Sequence, residues 1–139
     1  MMMGEYEHSI DQKGRVMFPV KLREELGDTF YITRGLDGCL FVYSEPEWKK
    51  LSARIEDMPK AKSRDMQRFL FAGALPVEAD KQGRTVIPYK LRQYANLDKD
   101  IVIVGVNDKA EIWDAKLWKQ KFDSLSYDDI ASVMDELGL

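Results

Sequence analysis

The chain has 139 residues, 45% of them hydrophobic and 32% charged, with a net charge of −3. That balance is too apolar for a disordered polymer, and the length suits one ordinary domain or two very small ones sharing a core. A single cysteine, Cys39, and a single histidine, His8, exclude an internal disulfide, a thiolate zinc cluster and a multi-histidine metal site within one chain.

The first ten residues, MMMGEYEHSI, lack the basic stretch and apolar run of a secretion signal, and no later run approaches the roughly 18 apolar residues of a membrane span. A cytoplasmic protein is expected. In EYEHSI, residues 5–10, alternation puts Tyr6, His8 and Ile10 on one face of a half-buried strand, where His8 reads as structural or exposed rather than catalytic. DQKG then makes a turn, with Asp11 able to accept backbone N–H groups and Gly14 free to adopt a positive φ. RVMF returns as a second strand, Pro19 ends it, and VKLREEL forms a short helix closed by Gly27. TFYIT and CLFVY are strands flanking the turn RGLDG, and Cys39 reads as a buried thiol. Ser44 with Glu47 predicts a capping box for a helix that buries Trp48, Leu51 and Ile55.

KAKSRDMQRFLFAG lacks the Gly/Ser composition of a linker and reads as a connecting helix with Met66, Phe69 and Leu70 on its apolar face. The plan then repeats: strands LPVEA, RTVI, IVIVG and AEIW, a short helix YKLRQYA, and a closing helix with Asp114 as N-cap and Trp118 in the place of Trp48. These Met, Trp and Phe positions read as core, with no cofactor box among them. The tail SYDDIASVMDELGL puts Ile130, Val133, Met134 and Leu137 on one helical stripe with acids opposite. That stripe must pack on its own chain or on a neighbour, and its own chain is the expected surface. The resulting division is a first repeat over 4–60, a connecting helix over 61–72, a second repeat over 73–125 and an acidic amphipathic tail over 126–139.

The repeat is closest at two segments. DQKGRVMFPVKLR, residues 11–23, and DKQGRTVIPYKLR, residues 80–92, agree at seven of thirteen positions without a gap, where average usage gives roughly one chance match. Each segment carries +3, leaving −9 for the rest of the chain. Such segregation focuses positive potential on the repeated segment while the acidic remainder repels phosphate. The plain alternative is a set of merely solvated charges; recurrence in register argues against it.

A two-stranded ribbon is narrow enough to enter the major groove of DNA, and an arginine just after its turn can address guanine N7 and O6 bidentately. Arg15 and Arg84 hold that place and are assigned to base reading. Asp11 and Asp80, four residues earlier, can cross the turns of Gly14 and Gly83 and fix the guanidinium groups. Lys13 and Lys81 near the tips, and Arg23 and Arg92 on the short helices, are assigned to phosphate. An Asp–Arg pair that only braces each turn is the alternative.

The doubled D-x-x-G-R-x-x-x-P, with GEYEHSIDQKGR, TRGLDGCLF, RFLFAGA, ELGDTFYI and its counterpart NLDKDIVIVGV, and EIWD, resembles the MraZ family of bacterial transcriptional regulators, whose repeats are AbrB-like. The resemblance covers nearly the whole chain. Met2 stands where an aromatic residue is frequent and Leu22 where phenylalanine is common; neither touches Asp11, Arg15, Asp80 or Arg84. The resemblance implies a β-rich mixed α+β fold, a swapped-hairpin AbrB-like barrel of the double-psi type, formed by both repeats with helices at the periphery. It also implies a closed ring of several subunits, associated with the nucleoid, on G-rich direct repeats in the promoter of the cell-wall and division gene cluster, including its own gene. Boxes recurring about every 10 to 10.5 base pairs would face one side of the duplex and let weak modules act through avidity.

A transcriptional repressor bound to double-stranded DNA is therefore expected, with no cofactor, no metal, no membrane and no small-molecule substrate. The competing reading is a protein-interaction module of the antitoxin type, in which the tail holds a partner and the basic hairpins are incidental. An enzyme fares worst, because no nucleophile, base and orienting group stand in a recognisable arrangement and no Gly-rich phosphate loop is present.

Overall fold

The computed structural model describes residues 1–139. In the first repeat β1 (Met2–Ser9) and β2 (Arg15–Met17) lead into α1 (Val20–Leu26), β3 (Thr29–Arg34), β4 (Leu40–Ser44) and α2 (Glu45–Glu56). After α3 (Lys60–Leu70) the plan recurs as β5 (Leu75–Glu78), β6 (Arg84–Val86), α4 (Tyr89–Tyr94), β7 (Asp100–Asn107), β8 (Ala110–Asp114) and α5 (Ala115–Asp123), followed by α6 (Tyr127–Glu136).

The two repeats are interleaved. The main antiparallel sheet runs β1-β7-β8-β4-β3-β5, so each repeat's first strand pairs with the other repeat's third: Tyr6 faces Ile103, and Phe30 faces Val77. The fourth strands pair at the centre, Leu40 opposite Ile112, and β2 pairs with β6 as a separate two-stranded ribbon. Only β3–β4 and β7–β8 are pairings within one repeat.

Alternation explains what the sheet buries. On β1 the side chains of Met2, Tyr6 and His8 turn inward, and Ile10 just beyond the strand is buried. Phe18 and Phe30 are fully buried with ring centroids 5.2 Å apart, and Val16, Ile87, Leu22, Leu91, Ile32 and Ile103 complete the contact between ribbon, short helices and sheet. Full burial of such side chains is worth about 1.5–3 kcal/mol each. Both repeats supply this one core, so neither half encloses a core by itself.

The architecture has the β-rich, swapped-hairpin character of an AbrB-like fold, but the sheet does not close into a hydrogen-bonded barrel. Its edges, β1 and β5, are bridged by the ribbon rather than paired with each other. The cause lies in the three-residue strands β2 and β6: each is followed two residues later by a proline, Pro19 or Pro88, which has no N–H to extend a ladder. Beyond the β2–β6 ladder, one further bond ties the repeats together at the ribbon, from the Ile87 N–H to the Gly14 carbonyl at 2.8 Å.

At the periphery, Ser44 and Asp114 cap their helices by accepting the N–H groups of Glu47 and Leu117. The capping box is only half formed, because the Glu47 carboxylate turns to Lys50, 3.3 Å away. The tail departs further from expectation: α6 forms, but every residue from 127 to 139 is exposed, so its apolar stripe does not pack on its own chain. No helix is long and apolar enough to cross a membrane.

Candidate nucleic-acid interface

Each ribbon tip is built by an aspartate. The Asp11 Oδ1 accepts the backbone N–H groups of Lys13 and Arg15, both at 2.9 Å, while Oδ2 accepts the Arg15 Nε–H at 2.6 Å. The backbone closes the same turn, with the Gly14 N–H donating to the Asp11 carbonyl and the Asp11 N–H to the Arg15 carbonyl. In the second repeat Asp80 Oδ1 accepts from Gln82 and Arg84 at 2.9 and 2.8 Å, and Oδ2 accepts the Arg84 Nε–H at 2.9 Å. Two distant stretches of chain thus form the same turn, bond for bond.

The backbone N–H of Arg15, followed by its guanidinium and the Lys13 N–H, holds the Asp11 carboxyl below the usual aspartate range against a smaller opposing effect of burial. Arg84 and Gln82 do the same to Asp80. Both aspartates therefore remain anionic acceptors at neutral pH. In each arginine only Nε is committed to the carboxylate; the terminal amino groups make no hydrogen bond within the chain. With about a third of each arginine side chain exposed, the free edges of the two guanidinium groups face solvent.

Pairing in the ribbon sets Arg15 opposite Val86 and Met17 opposite Arg84. The inward residues between them, Val16 and Thr85, are buried, so the outer face presents two arginines and two exposed apolar side chains. The Thr85 hydroxyl has no hydrogen-bond partner within the chain, whereas its counterpart Val16 needs none. Met17 and Val86 were invisible as site residues in the sequence, because only the cross-strand register puts them beside the arginines.

Arg23 and Arg92 occupy unexpected places. Each donates its Nε–H to the carbonyl just before its own proline, Phe18 at 2.9 Å and Ile87 at 3.0 Å. The guanidinium then lies over the other repeat's turn: a Cβ added at Gly14 would stand 2.9 Å from Arg92 Cζ, and one at Gly83 would stand 2.7 Å from Arg23 Cζ. Both glycines also have φ near +80°, a conformation that disfavours any side chain. These half-buried arginines thus link each short helix to the opposite tip. Lys13 and Lys81 are exposed at the tips themselves.

Elsewhere, Cys39 is buried with its thiol pushed up by desolvation, and half-buried His8 is pushed down for the same reason. The Glu111 and Asp37 carboxylates push the Cys39 thiol the same way as burial, and no group of three His, Cys, Asp or Glu side chains is placed to hold a metal ion.

Interleaved hairpins with one Asp-fixed arginine at each tip define an internally duplicated protein of the AbrB-like class. The family described as "MraZ protein, putative antitoxin-like" matches twice, over residues 1–69 and 70–136. Proteins named transcriptional regulator MraZ match over their whole length: one from Thermoanaerobacter sp. (strain X514) is 46% identical over 143 residues, covering 100% of both chains. Another from Lachnoclostridium phytofermentans is 50% identical over 141 residues, covering all of this chain and 99% of the relative. A third, from Alkaliphilus metalliredigens, is 49% identical over 143 residues with full coverage of both. The chain belongs to the MraZ family.

Proposed function

We propose that the protein is a sequence-specific DNA-binding transcriptional regulator, a repressor acting as a ring of copies on G-rich direct repeats upstream of a cell-wall and division gene cluster that includes its own gene. The observation that carries this reading is the paired presentation of Arg15 and Arg84: Nε locked by a carboxylate, terminal amino groups free, and both on one exposed ribbon face. A guanidinium so fixed matches the two acceptors of guanine in the major groove without having to order itself on binding. The relatives named transcriptional regulator MraZ point the same way.

In this reading Arg15 and Arg84 read bases, Asp11 and Asp80 position them, and Gly14 and Gly83 permit the turns. Lys13 and Lys81 contact phosphate, and Arg23 and Arg92 add positive potential and spare N–H donors behind the tips. The functional units are the repeats 4–60 and 73–125, joined by the connecting helix over 61–72, with the tail over 126–139 serving assembly. A cytoplasmic, nucleoid-associated location follows from this role. Direct repeats suit a ring, because rotation-related copies present the same tip in the same sense. The test is electrophoretic shift of the chain's own upstream DNA with the number of boxes varied. Affinity is expected to rise steeply with box number and to fall with salt at a log–log slope of about −0.9 per phosphate neutralised. Tight binding to that DNA by the Arg15→Ala/Arg84→Ala protein would refute the assignment.

One observation favours a second reading, an antitoxin-type interaction module: the apolar stripe of α6 has nothing packed on it. Removal of residues 126–139 separates the two. Loss of partner capture with DNA binding to a single box intact would favour the module.

A further inference from the structure

The two repeats finish differently. In the first, the chain beyond α2 folds back as α3: Ser63 and Leu70 are buried, Thr33 donates to the Leu70 carbonyl, Arg34 reaches the Phe69 carbonyl, and Phe71 packs edge-on to Trp48 with centroids 5.1 Å apart. In the second, the chain beyond α5 forms α6, which buries nothing. An open groove of about 450 Å³ runs between the two helices, lined by Phe122, Leu125, Tyr127, Ile130 and Met134. Val133 and Leu137 extend the stripe and are more than half exposed.

Charge identifies what can cover it. Within α6 the charged residues are Asp128, Asp129, Asp135 and Glu136, all acidic, and none joins an ion pair in the chain. Two copies of α6 laid against each other would set acid against acid in either direction, which costs stability. Apart from the two +3 segments over 11–23 and 80–92, assigned above to nucleic acid, the opposite charge is found on α3, where Lys60, Lys62, Arg64 and Arg68 against Asp65 leave +3. Lys60, Lys62 and Arg64 are exposed and likewise have no acidic partner. Long lysine and arginine stems cover apolar surface while their heads stay with counter-charges at the rim.

We propose that the α5–α6 groove docks on α3 of a second copy of this chain. The geometry makes the contact head-to-tail. α3 packs on β3 and α5 on β7 and β8, which lie in opposite halves of the sheet, so the donor and acceptor faces belong to different flanks of the molecule. A contact between unlike faces propagates from copy to copy and closes only when the rotation permits, giving a ring. The inference rests on the ring reading above and names the surfaces that would make it.

The test uses the full chain in sedimentation velocity at micromolar concentration. Wild type is expected to be oligomeric. Ile130→Asp/Met134→Asp, on the exposed stripe, and Lys62→Glu/Arg64→Glu, on exposed positions of α3, are each expected to weaken assembly by about a hundredfold. Asp128→Lys/Asp129→Lys should do the same. Mixing the two charge-reversed proteins should restore large assemblies, because the reversed α3 of the first then meets the lysines in the first turn of the second's α6, while the unchanged basic α3 of the second meets the unchanged acidic α6 of the first; that recovery also shows that each variant is folded. Wild-type mass in Lys62→Glu/Arg64→Glu would overturn the assignment of α3 while leaving the ring reading standing. A monomeric wild type would overturn both, and binding of one DNA box by that monomer would show that the ribbon's role survives.

Discussion

The two ribbon tips and the two outer layers of this molecule have diverged to opposite extents. At the tips, an aspartate takes two backbone N–H groups and one guanidinium N–H in each repeat, from the same positions of the turn. At the periphery, Trp48 stacks on Tyr31 at 5.2 Å and is covered by Phe71, whereas Trp118 leans on Phe122 of its own helix and donates to Glu5 at 2.5 Å. A duplication that keeps every hydrogen bond at one place and lets the packing drift at another separates what both copies must do from what one copy suffices to do. Matched turns fit two equivalent contacts with one ligand; unmatched outer helices fit a copy-to-copy contact that needs two different faces.

The largest expected effect breaks the equivalence of the tips. Arg15→Ala and Arg84→Ala should each cost about 1–3 kcal/mol of binding with relaxed base preference, and the double variant should lose promoter binding in a titration. Equal single losses would make the tips interchangeable, and unequal ones would rank them. Next comes the contrast in the outer layers. Trp48→Ala should lower unfolding free energy in urea by about 2 kcal/mol, below the range for aromatic truncation in a core, because Trp48 is only half-buried although three aromatic rings rest on it. Trp118→Ala, with two such neighbours, should cost about 1 kcal/mol less.

A smaller effect is expected at the glycines. Gly14→Ala and Gly83→Ala force a left-handed residue and push against Arg92 and Arg23, so each should destabilise by about 1–2 kcal/mol, read as a lower melting temperature. The smallest effect is on pH dependence. With their folded values depressed, Asp11 and Asp80 contribute stability that is fully present above the ordinary aspartate value of about 3.9 and is lost as pH falls through the folded value. Carboxyl carbon shifts of both residues should therefore titrate below that of a free aspartate, and Arg15→Ala should raise the midpoint of Asp11 alone.

The elements were legible because their signals are local. Pro19 and Pro88 mark the short helices, Ser44 and Asp114 the closing ones, and the doubled D-x-x-G-R the turns, and all form where alternation and helical spacing put them. The Asp–Arg pairs were legible for the same reason, since four residues across a tight turn leave little choice of partner. Non-local pairings were not. Nothing in EYEHS says that it will lie against IVIVG instead of its neighbour RVM, since EYEHS and RVM both alternate and IVIVG, apolar throughout and buried on both faces, gives no register of its own. Arg23 over Gly83 and Arg92 over Gly14 depend on that interleaving and stayed hidden with it. The stripe of α6 was plain in the periodicity, but a period specifies only that a face is apolar and leaves its neighbour unnamed.

The pairing of β1 with β7 has a consequence for synthesis. Residues 2–9 leave the ribosome long before their hydrogen-bonding partners, residues 100–107. At about 5–20 residues per second the amino-terminal strand waits on the order of ten seconds for its mate. During that interval its backbone is open to any other strand, including one on a neighbouring nascent chain, so dense translation of the same message would favour exchange of this strand between polypeptides.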